Sequence, residues 1–176
     1  MASIFMRIDG NDSIKGAATV ADLNSKKGWF AVDSLSWGAM RGVSVDIGNA
    51  NNQDNGMVAL GEISISKGYD GATPYLLTYL FQPGADGKTV ELVMTKPSRD
   101  GKGIVPYFVI SLEEARMANF SISGSDGSQP SESFSLTYTK IEQIFFVEDE
   151  GGKLEKAASV KYDATGNQLT SAADLK

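Results

Sequence analysis

Phe134-Ser135-Leu136-Thr137-Tyr138-Thr139-Lys140-Ile141-Glu142-Gln143-Ile144-Phe145-Phe146-Val147 alternates apolar and polar residues and then changes phase. Phe134, Leu136 and Tyr138 share one strand face. Beyond Thr139-Lys140, Ile141, Phe145 and Val147 take one face and Ile144 and Phe146 the other. Side chains alternate with a period of two, so a phase change exchanges the faces. The stretch therefore reads as a long strand bent between two sheets or round a barrel corner.

The flanking sequence is β in character, with short alternating or aromatic runs punctuated by Gly, Asn, Asp and Ser. Ile4 to Ile8 alternates and stops at the turn Asp9-Gly10-Asn11-Asp12. Gly28 to Gly38, with Trp29, Phe30, Val32 and Trp37, and the alternating Val43, Val45 and Ile47 read as two core strands. Gly48 to Gly56 has no apolar residue larger than Ala and reads as a long exposed loop. Met57 to Ser66 resumes the alternation with one slip near Gly61, which a bulge would absorb. Thr73-Pro74, an N-cap followed by Pro at the first helical position, opens the one expected helix, where Tyr75, Leu76, Tyr79 and Leu80 recur at helical spacing until Gln82-Pro83-Gly84. Val90 to Thr95 and Tyr107 to Leu112 flank the Gly-rich turn Arg99 to Gly103 as a hairpin. Glu113 to Ala118 reads as bulged strand, Ser121 to Ser133 as a polar loop, and Ala158 to Asp163 as the last strand. Residues 1–165 form one domain on this reading, and 166–176 a frayed tail.

Size and composition support a single core without staples. The 176 residues and 18.7 kDa correspond to a folded surface of about 8,000 Å² and an unfolded one of about 27,000 Å². With 41% hydrophobic and 22% charged residues, the composition is that of a globular protein. No apolar run approaches the ~20 residues of a membrane span. The absence of His and Cys excludes Ser-His-Asp and Cys-His nucleophile systems, imidazole or thiolate zinc sites, and dithiol redox centres. A net charge of −6 and a pI near 4.7 argue against nucleic acid and anionic membranes as partners, because both are bound by accumulated Lys and Arg. The first residues, Met1 to Gly10, lack the basic and apolar segments of a cleaved signal peptide.

Motifs that carry chemistry elsewhere fail here on their context. Gly84 to Thr89 ends in Gly-Lys-Thr, but Gln82 occupies the position where a phosphate loop needs Gly, and a strand follows. Ser64-Ile65-Ser66-Lys67 lies in alternating strand rather than at a helix start. Glu148, Asp149 and Glu150 lack the spacing of a cation loop. Glu113 and Glu114 are adjacent on a strand and face opposite ways. No catalytic residues, metal ligands or cofactor site follow, and the chain reads as a non-enzyme. Trp29, Phe30, Trp37, Tyr75, Tyr79 and Phe81 occur at core spacing, with a sugar-stacking platform in a secreted, lectin-like β-sandwich as the alternative.

Phe5-Met6-Arg7-Ile8-Asp9-Gly10 followed by Ile14-Lys15-Gly16, then Leu35-Ser36-Trp37-Gly38, Ile63 to Lys67 leading into Ala72 to Leu77, the Tyr107 to Leu112 strand and Glu132 to Tyr138 succeed one another at a consistent spacing. In this order the segments resemble the haemolysin-coregulated protein (Hcp) family, inner-tube proteins of bacterial type VI secretion systems. The resemblance covers nearly the whole chain; the Asn-rich loop and the tail after Asp163 depart from it. It implies a closed, barrel-like pair of antiparallel β-sheets with one short α-helix, assembling as a homo-hexamer whose rings stack into a tube. It also implies spike and sheath proteins as partners, small effector proteins carried in the lumen, no cofactor, and no membrane insertion. Such a protein is cytoplasmic before firing and is then secreted, without a cleaved signal peptide, to the extracellular space or a target cell. In that family the extended loop before the central strand contacts other subunits or rings. The matching positions are Arg41, Val43, Asp46, Asn49, Asn51, Asn52, Gln53, Asp54, Asn55 and Met57.

Overall fold

The computed structural model describes residues 3–20, 22–46, 51–101 and 103–175. In chain order the elements are β1 (Ser3–Ile8), β2 (Phe30–Val32), β3 (Ser34–Ser36), β4 (Ala39–Asp46), β5 (Asn51–Leu60), β6 (Ile63–Gly68), α1 (Thr73–Phe81), β7 (Lys88–Pro97), β8 (Ile104–Ser123), β9 (Ser131–Thr137), β10 (Lys140–Glu148), β11 (Leu154–Asp163) and β12 (Gln168–Ser171). The protein is thus mainly β with one short helix among the described residues.

The phase change in the sequence is a corner in space. β9 pairs with β6 and with the second half of β8, whereas β10 pairs with the first half of β8 and with β11. Tyr138 and Thr139 separate them, and the Thr139 amide donates to the Glu113 carbonyl at 3.1 Å. The 20-residue β8 turns at the same place, through Glu114 at φ 52°. The expected bulge in Glu113 to Ala118 is therefore present, with register shifts on both sides of the turn. At the opposite corner, β2 and β3 are one chain segment broken at Asp33. β2 pairs with β1 and β3 with β6.

This arrangement departs from the expected closed barrel. Two sheets enclose the core, in the order β12-β11-β10-β8-β7-β1-β2 and, branching from β8, β9-β6-β3. No ladder joins β2 to β3, which meet only through the chain, and the first sheet runs past the core to an open edge at β12. The three-residue strands at Asp33 are too short to build a closing ladder. Three other expectations are corrected. Gly61 marks the end of β5 and a change of sheet, not a bulge. Val43 lies on a projecting strand and is exposed rather than core, and Ile47 falls outside the described residues. Gln168–Ser171, placed in a frayed tail by the sequence, pairs with β11 as β12.

The core lies between the sheets and under α1. Met6, Phe30, Ile63, Ile65, Leu76, Val90, Leu92, Leu112, Phe134 and Leu136 are all buried within it. A second cluster of Phe5, Leu23, Trp29 and Val93 fills the outer face of β1 and β7, with Ala18 and Val20 packed against it. There the Arg7 guanidinium sits 5.9 Å from the Trp29 ring centre and donates to Glu91 at 2.6 Å.

Charged groups buried at the start of α1 hold three elements together. The Lys67 ammonium donates to Glu132 at 2.9 Å, to the Gly68 carbonyl at 2.8 Å, and lies 2.8 Å from Asp70. The side chains of Lys67 and Glu132 are 1% and 0% exposed. Thr73, expected as the N-cap, is instead inside the helix; Ala72 is the cap residue and makes no side-chain cap bond. The Thr73 hydroxyl is drawn away to donate to Glu132 at 2.5 Å, and the Asp70 carboxylate receives the Ala72 amide at 2.9 Å. Asp70 also accepts from the Ala17 amide at 2.8 Å. Gly16 is needed for that approach, since a Cβ there would lie 2.4 Å from the Phe30 Cβ and 2.6 Å from an Asp70 oxygen.

Removing one member of a buried ion cluster leaves the others desolvated and uncompensated. Lys67→Met should lower folding stability by about 3–5 kcal/mol, read as a lower denaturant midpoint. A change below about 1 kcal/mol, the range of an exposed pair, would show that the cluster is not a structural tie.

Candidate assembly surface

β4 and β5 form a separate two-stranded antiparallel hairpin, registered from Ala39 opposite Leu60 to Asp46 opposite Asn51, with an irregularity between Arg41 and Val43. The long exposed loop expected over Gly48 to Gly56 is in part strand: Asn51 to Gly56 belong to β5, and 47–50 lie outside the described residues. Asn and Asp are poor strand formers, so the sequence hides this pairing; the apolar residues of β4 supply the partner. At its root the Gly61 amide donates to the Gly38 carbonyl at 2.8 Å. A Cβ on Gly61 would stand 2.7 Å from that oxygen, so only glycine allows the approach. Leu60 packs against the core, and beyond it, among the described residues, the strands contact essentially only each other.

The backbone thus brings Arg41, Val43, Asp46, Asn51, Asn52, Gln53, Asp54, Asn55 and Met57 onto one projecting hairpin. Asn49 lies outside the described residues. Met57 and Met40 are 74% and 72% exposed. Met40 faces Ala59 across the pair and so shares its face with Met57 by strand alternation. Sequence reasoning passed over Met40, although its place two residues before Gly42 in a strand opposite Ala59 gives it the same orientation. Beside it, Gly38, Ala39, Ala59, Leu60 and Gly61 line a shallow hollow of about 310 Å³.

A second uncovered surface continues the core. Ile110 lies opposite Gln143, which lies opposite Val160; Phe108 lies opposite Phe145. The Phe108 and Phe145 rings stack at 4.7 Å. Phe108 is partly buried against the core, but Phe145, Val147, Val160 and Leu169 remain exposed on β10 to β12. The sequence identifies these as strand residues; that their sheet runs beyond its cover is a tertiary property.

The other sequence motifs do not gather into a site. Ser64 and Lys67 lie on β6, with Lys67 committed to its carboxylates. Glu148 pairs with Lys96, and Asp149 accepts the Lys153 amide. Among the described residues no group of three or more acidic side chains is placed to hold a metal ion. Trp29, Phe30 and Tyr79 are core residues, Trp37 donates to the Tyr138 hydroxyl at 2.5 Å, and Tyr75 and Phe81 stand on the outer side of α1. The aromatics therefore form no common platform. Burial pushes the Tyr79 hydroxyl up to about 12, and it donates to the Ala115 carbonyl. Among the described residues no helix is long and apolar enough to cross a membrane.

Across β8, β10 and β11, Lys161 donates to Glu113 at 2.6 Å and Lys140 lies 3.7 Å from the same carboxyl group. The Lys161 hydrogen bond holds Glu113 below the usual carboxylate range. A depressed folded pKa stabilises above the unfolded value, and that contribution is lost as pH falls through the folded value. Unfolding midpoints followed on the acid side should therefore drop as Glu113 protonates, and Glu113→Gln should flatten part of that drop. The effect stays within about 1 kcal/mol because the pair is partly exposed; an unchanged acid profile in the variant would contradict it.

Comparison with known proteins places this geometry. A family model described as "Type VI secretion system effector, Hcp" matches residues 5–145. A solved structure described as a type six secretion system protein superposes with a TM-score of 0.80 at 18% identity, covering 97% of this chain and 100% of that one. Hcp1 from Salmonella typhimurium gives 0.67 at 22% identity, covering 96% and 98%. Hcp1 from the E. coli EAEC 042 pathovar gives 0.63 at 20% identity, covering 93% and 97%. No curated protein sequence matches. A chain whose family model spans both sheets and the helix, and whose fold extends over the full length of these structures, belongs to the Hcp family of type VI secretion system proteins.

Proposed function

We propose that this chain is a structural tube subunit of a type VI secretion system, without enzymatic activity, which forms hexameric rings that stack into the expelled inner tube and carry small effector proteins in the lumen. The observation that carries the reading is the β4–β5 hairpin, which extends from the two sheets with almost no support from them among the described residues. A two-stranded hairpin alone is marginal in water, so its natural complement is another copy of the chain. The open apolar face of β10 to β12 and the unpaired edge of β12 support the same reading, because exposed edges must be covered or paired. The chain exposes 10577 Å², well above the roughly 8,000 Å² of a compact protein of this mass. Spike and sheath proteins are the further partners, and the subunit waits in the cytoplasm before it is expelled.

Six copies at −6 each bring about −36 into one ring, so assembly proceeds against self-repulsion that salt screens within roughly 8–10 Å. Rings or tubes should survive or strengthen as salt rises, as followed by light scattering. Dissociation in moderate salt would mean charge-paired interfaces and contradict the apolar account. Deleting Asn49 to Asn55 should spare the ring and weaken stacking, seen by electron microscopy as rings without tubes. A sharply lowered melting temperature would instead make the segment part of the folded core.

A further inference from the structure

Methionine sulfur is unevenly distributed in this fold. Met6 and Met117 are buried, and Met94 is half-buried, with the Tyr107 hydroxyl donating to its sulfur at 3.6 Å. Met40 and Met57 are 72% and 74% exposed, and strand alternation puts both on one face of the hairpin that the tube reading assigns to contacts between copies. Gly56 and Val58 flank Met57, Ala39 and Arg41 flank Met40, and the apolar hollow by Ala59 and Gly61 adjoins Met40. In an assembled contact this face supplies polarizable, adaptable apolar surface. In the free subunit both thioethers stand open to oxidants. The chain has no Cys to react in their place.

We infer that Met40 and Met57 form a paired oxidation site through which peroxide controls self-association. The inference rests on the hairpin being an assembly surface. In the step, a sulfur lone pair attacks the terminal oxygen of hydrogen peroxide and the O–O bond breaks. The sulfur is oxidised by two electrons to the sulfoxide, and the peroxide leaves as water. The product replaces an apolar side-chain end with a polar acceptor that must be desolvated when a second copy docks. A desolvated, unpartnered acceptor weakens such a contact by about tenfold. The change is reversible by reduction of the sulfoxide, and once assembled the two sulfurs are shielded.

The test treats the full-length protein with hydrogen peroxide, locates added oxygen by peptide mass mapping, and measures mass by light scattering before and after. Expected are oxygen on Met40 and Met57 ahead of Met6, Met94 and Met117, an unchanged melting temperature, and an assembly midpoint raised at least ~10-fold in protein concentration. The Met40→Leu/Met57→Leu variant, compared only with its own untreated sample, should not respond to peroxide. Assembly that is unaltered after both sulfurs are converted, or a double variant that responds like the parent, overturns the inference while leaving the tube reading intact. Oxidation of the buried methionines first overturns the site. A protein that is monomeric before treatment overturns the tube reading and this inference with it.

Discussion

The buried contact of Lys67 with Asp70 and Glu132 ties β6 and β9, already paired as strands, to the start of α1 and to the segment at Ala17. Lys67 is the last residue but one of β6, Asp70 leads into α1, and Glu132 lies directly opposite Lys67 on β9. Through the Ala17 amide the same carboxylates hold the segment that follows the first turn, and through Thr73 they hold the helix itself. Burying charge is costly unless every group is answered, and here each oxygen and N–H has a named partner. That requirement ties the start of the helix and the segment at Ala17 to the ends of β6 and β9. The surrounding apolar core can then close against a frame whose corners are already set.

A rigid frame of this kind leaves its remaining surface free for association. The two sheets share β8, so the first sheet can extend past the core through β10, β11 and β12, with an apolar face that no described residue covers. On another side the hairpin leaves the two sheets at the Gly38–Gly61 bond, and among the described residues its strands contact essentially only each other. Both features cost stability or solubility in an isolated subunit, and both become favourable when other copies supply the missing contacts.

Where local pattern and tertiary structure coincide, the fold was legible in the sequence. The phase change after Tyr138 is the corner between β9 and β10, the bulged strand around Glu114 is the matching corner in β8, and Pro74 with Leu76 and Tyr79 marks the helix. What the sequence concealed depends on distant partners. Thr73 has every local mark of a cap, but Glu132, 59 residues away, takes its hydroxyl. Asn51 to Gly56 look like loop because their strand is set by β4 rather than by apolar content. Gln168 to Ser171 look frayed because β11 offers them an edge that no local signal announces. The projection of Met40 and the exposure of Phe145 likewise follow from where each sheet ends. The family resemblance was legible in the order of motifs, while the residues proposed to contact other copies rest on it and on the hairpin's geometry.

The most direct test of this account is the mass of the purified full-length protein, measured by size-exclusion chromatography with light scattering across a range of concentrations and followed by negative-stain microscopy of the main peak. The account predicts a mass near six chains and ring-shaped particles. A stable monomer at every concentration would leave the Hcp fold in place but contradict the claim that its exposed hairpin and open sheet exist to be covered by other copies.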